Sequence, residues 1–322
     1  MAKGDAGPTV VIAERLATPP AEWLGQRASL VWCRGDPAAL DANLPEAQAL
    51  IVRTYTQVDA ALLDKAPKLK VVGRAGVGLD NIDVAACRSR GVEVVYTPEA
   101  NTQAVVEYVL ALMFDALRPR PELTGRTDPQ TFHDLRKTQV GSQLDEFTLG
   151  IVGFGRIGKR VGEVAYAIGM NLAVCDLLPE SQVRKAVNFP FEYLDHRSLY
   201  RRSDIVTVHV DGRASNRQMI DAEALSHFRD QAMLINTSRG FVIDSAALAA
   251  WAQAHPRGRA IVDVHDPEPP DEAYPLWDTA NVKLLPHLAS RTDRAMENMS
   301  WVVHDVLAVL EGRSPEHPAP RS

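Results

Sequence analysis

Thr148-Leu149-Gly150-Ile151-Val152-Gly153-Phe154-Gly155-Arg156-Ile157-Gly158 is a β-suited apolar run that passes without interruption into a G-x-G-x-x-G turn. A helix-suited stretch follows to Ile168, Gly169 ends it, and a second β-suited run over 171–175 leads to Asp176. Strand, glycine turn, helix, strand and acid in this order form the pattern of a dinucleotide-binding βαβ unit. Gly153 permits the tight turn, Gly155 lets the backbone approach a pyrophosphate, and Gly158 lets the helix pack closely on the strand. Phe154, Arg156 and Ile157 complete the turn, and the helix N-terminus offers its N–H groups to the phosphates. Asp176 is placed to accept hydrogen bonds from ribose hydroxyls and to repel a 2′-phosphate, so NAD is predicted over NADP. The competing reading is a glycine turn of structural use only.

Outward from this unit, β-suited runs recur at 204–210, 232–236, 259–264 and 282–285, and ahead of it at 9–13, 29–32, 49–52, 69–73 and 92–95. Helix-suited stretches separate them, such as 58–66 and 81–90, the latter closed by Gly91. Strands alternating with helices predict parallel sheets covered on both faces, an α/β fold. The stretch 101–117 reads as a helix long enough to join two domains, with Val105, Val109, Leu112, Met113 and Ala116 along one side. The following 118–146 holds three prolines and no sustained period, so a connector is expected there. A single last helix is expected over 292–312, followed by a frayed tail.

The length of 322 residues exceeds the roughly 250–300 at which one hydrophobic core stops growing, so two domains are expected. Apolar residues at 46% and charged residues at 24% exclude disordered and fibrous classes. A net charge of −6 argues against nucleic acid as a partner. Cys33, Cys87 and Cys175 have no C-x-x-C spacing, which leaves no disulfide framework and no metal site in the sequence; they are expected to be reduced packing residues. With no apolar leader and no long apolar span, a cytoplasmic protein without membrane contact is expected.

Three groups follow the carboxyl ends of predicted strands, where doubly wound sheets bind ligands. His287 stands after Leu284-Leu285-Pro286, Arg239 after Asn236-Thr237-Ser238, and Glu268 shortly after Asp263-Val264-His265-Asp266-Pro267. His209-Val210 closes another strand and is expected to line the cofactor cleft, whereas His133, His196, His227, His255, His304 and His317 sit in polar or helical surroundings. An imidazole, a guanidinium and a carboxylate converging on one sheet edge point to proton transfer beside a bound cofactor.

In this order the motifs resemble the D-isomer-specific 2-hydroxyacid dehydrogenases, over about Val52 to Glu311. The resemblance runs through Arg74-Ala75-Gly76-Val77-Gly78-Leu79-Asp80-Asn81-Ile82-Asp83, Asn101-Thr102, the glycine motif, Asn236-Thr237-Ser238-Arg239-Gly240, Asp263-Val264 with Glu268-Pro269, and Pro286-His287. It implies a Rossmann-type cofactor domain, 105–290, inserted into a flavodoxin-like substrate domain, 1–104 plus 291–322. It places the acid/base on His287, its carboxylate partner on Glu268 and the substrate-binding guanidinium on Arg239. Thr237, Ser238, Asp263 and Ala289 join the cofactor set, and Gly76, Val77 and Gly78 form a loop whose N–H groups hold the substrate carboxylate. The implied reaction interconverts a small 2-oxo acid and a D-2-hydroxy acid, and a homodimer is implied as well.

Some positions depart from the family pattern: Ala289 stands for a common glycine, Asp211-Gly212 for a proline after Val210, and His265 for a common phenylalanine. Arg53 and Arg74 resemble phosphate-binding positions of phosphoglycerate dehydrogenases, yet Tyr55 lies close by and the chain stops at Ser322 without a regulatory extension, so glyoxylate or hydroxypyruvate stays comparable. The rival reading is an NAD(H)-sensing protein like the C-terminal-binding-protein corepressors, which share the catalytic trio.

Overall fold

The structure, a computed structural model, describes residues 7–123 and 125–320, and the chain divides into two compact units. One unit comprises the residues up to Asn101 together with those from Ser290 onward, and the other is Thr102–Ala289. The second is therefore an insertion in the first.

The first unit holds five parallel strands, β1 (Thr9–Ile12), β2 (Ser29–Trp32), β3 (Ala49–Val52), β4 (Val71–Arg74) and β5 (Glu93–Tyr96). Their order β2-β1-β3-β4-β5 is the flavodoxin-like one. The central strands are near-continuous Val, Leu and Ile because both faces are covered. Leu40, Leu44, Leu63 and Cys87 pack in the core of one face, and Leu24, Val303, Val306 and Leu307 in the core of the other. The chain thus returns after the insertion to complete the first unit. Helices Ala60–Asp64 and Val84–Ser89 start later than the apolar pattern suggests, because Asp59 and Asp83 cap them by accepting N–H bonds from Leu62 and Ala86. Two further helices, Thr18–Gly25 and Pro37–Asn43, carry too short a pattern to be read from sequence.

Two expectations for the C-terminus are corrected. The stretch 292–312 is two helices, Asp293–Ser300 and Val303–Leu310, because the Trp301 N–H is shared between the Glu297 and Asn298 carbonyls and the chain turns there. The tail is not frayed as far as Pro320: Ala319 donates to Val94 O at 2.7 Å, and Arg88 donates to the Ala319 and Pro320 carbonyls. A proline-rich segment has few N–H groups of its own, so its order depends on a strand edge that sequence periodicity does not reveal.

The second unit has seven parallel strands, β6 (Thr148–Val152), β7 (Asn171–Cys175), β8 (Glu192–Tyr193), β9 (Ile205–Val208), β10 (Met233–Asn236), β11 (Arg259–Val262) and β12 (Val282–Leu284). The order β8-β7-β6-β9-β10-β11-β12 is the Rossmann order with one added edge strand, and it reverses between β6 and β9. Helix Thr102–Leu117 belongs to this unit, with Val105, Val106, Val109, Leu112 and Met113 in one core with Leu149, Ile151 and Val161. The expected connector contains a helix, Pro129–Thr138, started by Asp128, which accepts from the Gln130 and Thr131 N–H groups. None of its residues is buried, so it needs no apolar stripe and left no period to read.

All three cysteines are free and buried, and burial pushes the Cys87 and Cys175 thiols up to about 11, which leaves them protonated and unreactive near neutral pH. No helix of the described residues is long and apolar enough to cross a membrane.

Candidate active site

Parallel strands deliver all their carboxyl ends to one edge, so the turns after β6, β7, β9, β10, β11 and β12 gather there. At the reversal, Gly153 has φ +86° and its missing side chain faces the His209 carbonyl, so a Cβ would lie 2.8 Å from that carbon and oxygen. A Cβ on Gly158 would collide with the Gly153 carbonyl, which fixes helix Arg156–Ala167 close to the loop. That helix has no side-chain cap, and the Cβ direction of Gly155 opens into free space. Asp176 ties the loop to β7: its carboxylate accepts the Phe154 N–H at 2.6 Å and the Leu178 N–H at 2.8 Å. Each oxygen keeps a further lone pair for a ribose hydroxyl.

The Phe154 side chain is buried among Phe189 and Phe191, so of the turn residues it contributes backbone only. After β9, the His209 Nε2 is 3.0 Å from Thr207 Oγ1, and burial pushes the imidazole down to about 3, making His209 a neutral wall. Val210 packs against Gly153. The departing Asp211 is paired with Arg213 at 2.5 Å, which holds its carboxyl below the usual range.

The turn after β10 is organised by Asn236. Its side-chain oxygen accepts from the Ser238 N–H and Oγ at 3.0 and 2.8 Å, and its amide donates to Arg239 O at 2.9 Å. Arg239 is half-buried and donates from Nη1 to Ser238 O at 2.7 Å. Thr237 Oγ1 is buried and has no hydrogen-bond partner among the described residues. A buried hydroxyl without a partner is costly, and together with the uncapped helix and the open face of Gly155 it fits a site shaped for a dinucleotide.

His287 follows β12 in a left-handed backbone conformation, φ +55°, which is uncommon outside glycine and marks a position over-determined by its surroundings. The cause is Asp263, whose two carboxylate oxygens accept the N–H groups of Leu288 and Ala289, each at 2.9 Å. Asp263 and Ala289 thus hold the histidine loop from inside the protein. Burial pushes the Asp263 carboxyl up, against those two bonds, and Tyr108 donates to it at 3.2 Å. His287 Nδ1 lies 2.6 Å from Glu268 Oε1, with each side chain about one-third exposed. Burial alone would raise the Glu268 carboxyl, but the hydrogen bond and charge of His287 hold it below the usual range.

In the first unit, Arg74 lies over Gly76 and donates to Ala75 O at 2.9 Å. Gly76 donates its own N–H to Arg74 O at 2.8 Å, so the expected anion nest loses one of its three donors and rests on Val77 and Gly78. Arg53 is buried, and its guanidinium is 3.0 Å from the Met296 sulfur, a weak acceptor. Glu14 offers it no salt bridge, because that carboxylate is taken up by the N–H groups of Arg53, Thr54, Tyr55 and Thr56 at 3.0 to 3.2 Å. Burial, and then the like charge of Arg291, lower the Arg53 pKa. Arg291 escaped the sequence reading because a lone arginine after the histidine loop carries no signal; Tyr108 escaped because it reads as one more apolar position of a helix.

A Rossmann unit whose sheet edge joins an open glycine loop and an acid after the second strand defines a dinucleotide-binding protein, and a histidine–carboxylate pair stands at the same edge. The family model for the NAD binding domain of D-isomer specific 2-hydroxyacid dehydrogenases matches residues 110–289, more than half of the chain, and the chain belongs to that family. It is 37% identical over 308 residues to a D-3-phosphoglycerate dehydrogenase of Mycobacterium bovis, covering 95% of this chain and 57% of the relative. It is 32% identical over 258 residues to a hydroxypyruvate reductase of Thermotoga maritima, covering 80% and 82%. The crystal structure of the TT0316 protein from Thermus thermophilus superposes with a TM-score of 0.84 at 30% identity, covering 97% of this chain and all of that one. The chain thus spans little more than half the length of the phosphoglycerate dehydrogenase it matches.

Proposed function

We propose that this protein is an NAD-dependent oxidoreductase that interconverts a D-2-hydroxy acid and its 2-oxo acid. The 2.6 Å contact between His287 Nδ1 and Glu268 Oε1 carries the reading. With Nδ1 engaged by the carboxylate, Nε2 is the nitrogen that gives a proton to the carbonyl oxygen in reduction and takes it back in oxidation. When bound, the dinucleotide supplies or accepts the hydride at the carbon. Arg239 neutralises the charge that develops on the oxygen and holds the substrate carboxylate in its fork. Within the first unit, Arg74 with the Val77 and Gly78 N–H groups is the proposed carboxylate-binding group. The test is NADH oxidation with a panel of 2-oxo acids. Tight NADH binding without turnover of any of them replaces this reading by an NAD(H)-responsive binding protein. The same proposal makes the protein a cytoplasmic homodimer acting on small acids, which sedimentation equilibrium checks for the dimer.

Asp176 is the proposed selector of NAD. Asp176→Ala is expected to shift the NAD to NADP preference by about tenfold towards NADP, the scale of one charge-assisted contact. An unchanged ratio of kcat/KM values places the selectivity elsewhere.

For substrate class, a buried guanidinium in contact with a thioether and under the like charge of Arg291, which Glu14 opposes only in part, favours a dianion such as a phosphorylated acid. Arg53→Ala is expected to lower kcat/KM for phosphorylated substrates by about 10- to 100-fold, the worth of charged hydrogen bonds, while glyoxylate turnover barely changes. Equal losses for both substrates refute the phosphate assignment.

A further inference from the structure

We infer that His265, on the loop after β11, is a positioning residue that holds both members of the Glu268–His287 pair. The inference rests on the oxidoreductase reading and extends it to a residue that departs from the family's common phenylalanine. His265 is 8% exposed, and both ring nitrogens are engaged. Nε2 lies 2.8 Å from the Leu285 carbonyl and Nδ1 3.1 Å from the Tyr274 hydroxyl. A carbonyl can only accept, so Nε2 carries the proton and Nδ1 accepts from Tyr274. The Tyr274 ring stands edge-on to the imidazole at 5.4 Å, which fixes its plane.

Leu285 is the second residue before His287 and already donates its N–H to Val262 O at 2.9 Å. With its carbonyl held by His265, the peptide from which Pro286 and the strained His287 project is tied on both sides. The backbone N–H of His265 also faces Glu268 Oε2 at 3.4 Å, while Glu268 Oε1 meets His287. One residue therefore restrains the carboxylate through its main chain and the imidazole through its side chain. A phenylalanine would fill the same volume and leave the Leu285 carbonyl without this donor.

The test compares the wild-type chain with His265→Phe, which keeps an aromatic ring, and His265→Gln, which restores a donor towards Leu285. His265→Phe is expected to lower kcat about tenfold, as misplacement of a reacting group does, with KM and NADH affinity within about twofold. His265→Gln recovers most of the loss. An unaltered kcat in His265→Phe, or no recovery in His265→Gln, overturns the inference. Side-chain ¹⁵N NMR gives a readout that needs no turnover: His287 is expected to carry its proton on Nδ1 in wild type and His265→Gln, and to become a tautomer mixture in His265→Phe. Identical His287 signals in all three overturn the inference. Failure of the oxidoreductase reading is told apart by a wild type that oxidises no NADH while the NMR pattern holds. Should His265→Phe not fold, Tyr274→Phe removes only the hydroxyl on Nδ1. It is expected to lower kcat about threefold, in keeping with one hydrogen bond, and to mix the tautomer in the same sense; no change in either refutes the role.

Discussion

His287→Asn is expected to lower kcat for 2-oxo acid reduction about 10³-fold, within the range a general acid contributes, while NADH binding stays near wild type. Asparagine is the informative replacement for two reasons. It tolerates the left-handed conformation that φ +55° imposes, so the loop held by Asp263 is not strained further. Its amide can also donate towards Glu268 in place of Nδ1, so the carboxylate keeps a partner and the variant loses chiefly the exchangeable proton. NADH fluorescence titration checks binding and stopped-flow absorbance checks hydride transfer; near-normal turnover removes His287 from the acid/base role. The pH dependence carries a sign. Because Glu268 is held below the ordinary carboxyl range, it stays ionised through mildly acidic pH. Activity that depends on its charge is therefore expected to persist down to about pH 4.3, the unperturbed glutamate value, and to fall only below it.

The glycine motif, Asp176 and the strand ends that carry Arg239, Glu268 and His287 were legible because each requires a particular residue type at a particular place on a parallel sheet. Strand runs over 29–32, 49–52 and 171–175 were legible to the residue, since each is a short, mostly apolar run; 49–52 is buried throughout, whereas 29–32 is an exposed edge strand. Helix Pro129–Thr138 was not, because a helix without a buried face has no period to detect. Nor was the division of labour inside the site. Asp263 and Phe154 read as cofactor residues, yet Asp263 spends its carboxylate on the histidine loop and Phe154 its ring on the core. Sequence order shows that these residues approach one edge; only coordinates show which atoms already have partners.

Gly240→Ala is expected to cost about 100-fold in kcat/KM, although no reacting group is touched, because a misplacement near 1 Å is enough for a loss of that size. A Cβ on Gly240 would collide with the carbonyl carbon and oxygen of His265 and lie 2.6 Å from the Asp266 nitrogen. These are main-chain atoms, so no rotamer change relieves the collision. His265 in turn cannot yield freely, since its ring is fixed by Leu285 and Tyr274. The loop carrying Arg239 must then move away from the loop carrying Glu268, which separates the proposed substrate cation from the proton-transfer pair. The overpacking also costs about 1–3 kcal/mol of stability. NADH affinity is expected to change less, because Gly153, Gly158 and Asp176 lie at the turns after β6 and β7 and only Thr237 and Ser238 of the proposed dinucleotide site share the displaced loop. Steady-state kinetics beside NADH titration and thermal melts separate these effects. Wild-type kcat/KM would mean that the two loops tolerate separation and that Arg239 does not act in register with Glu268 and His287.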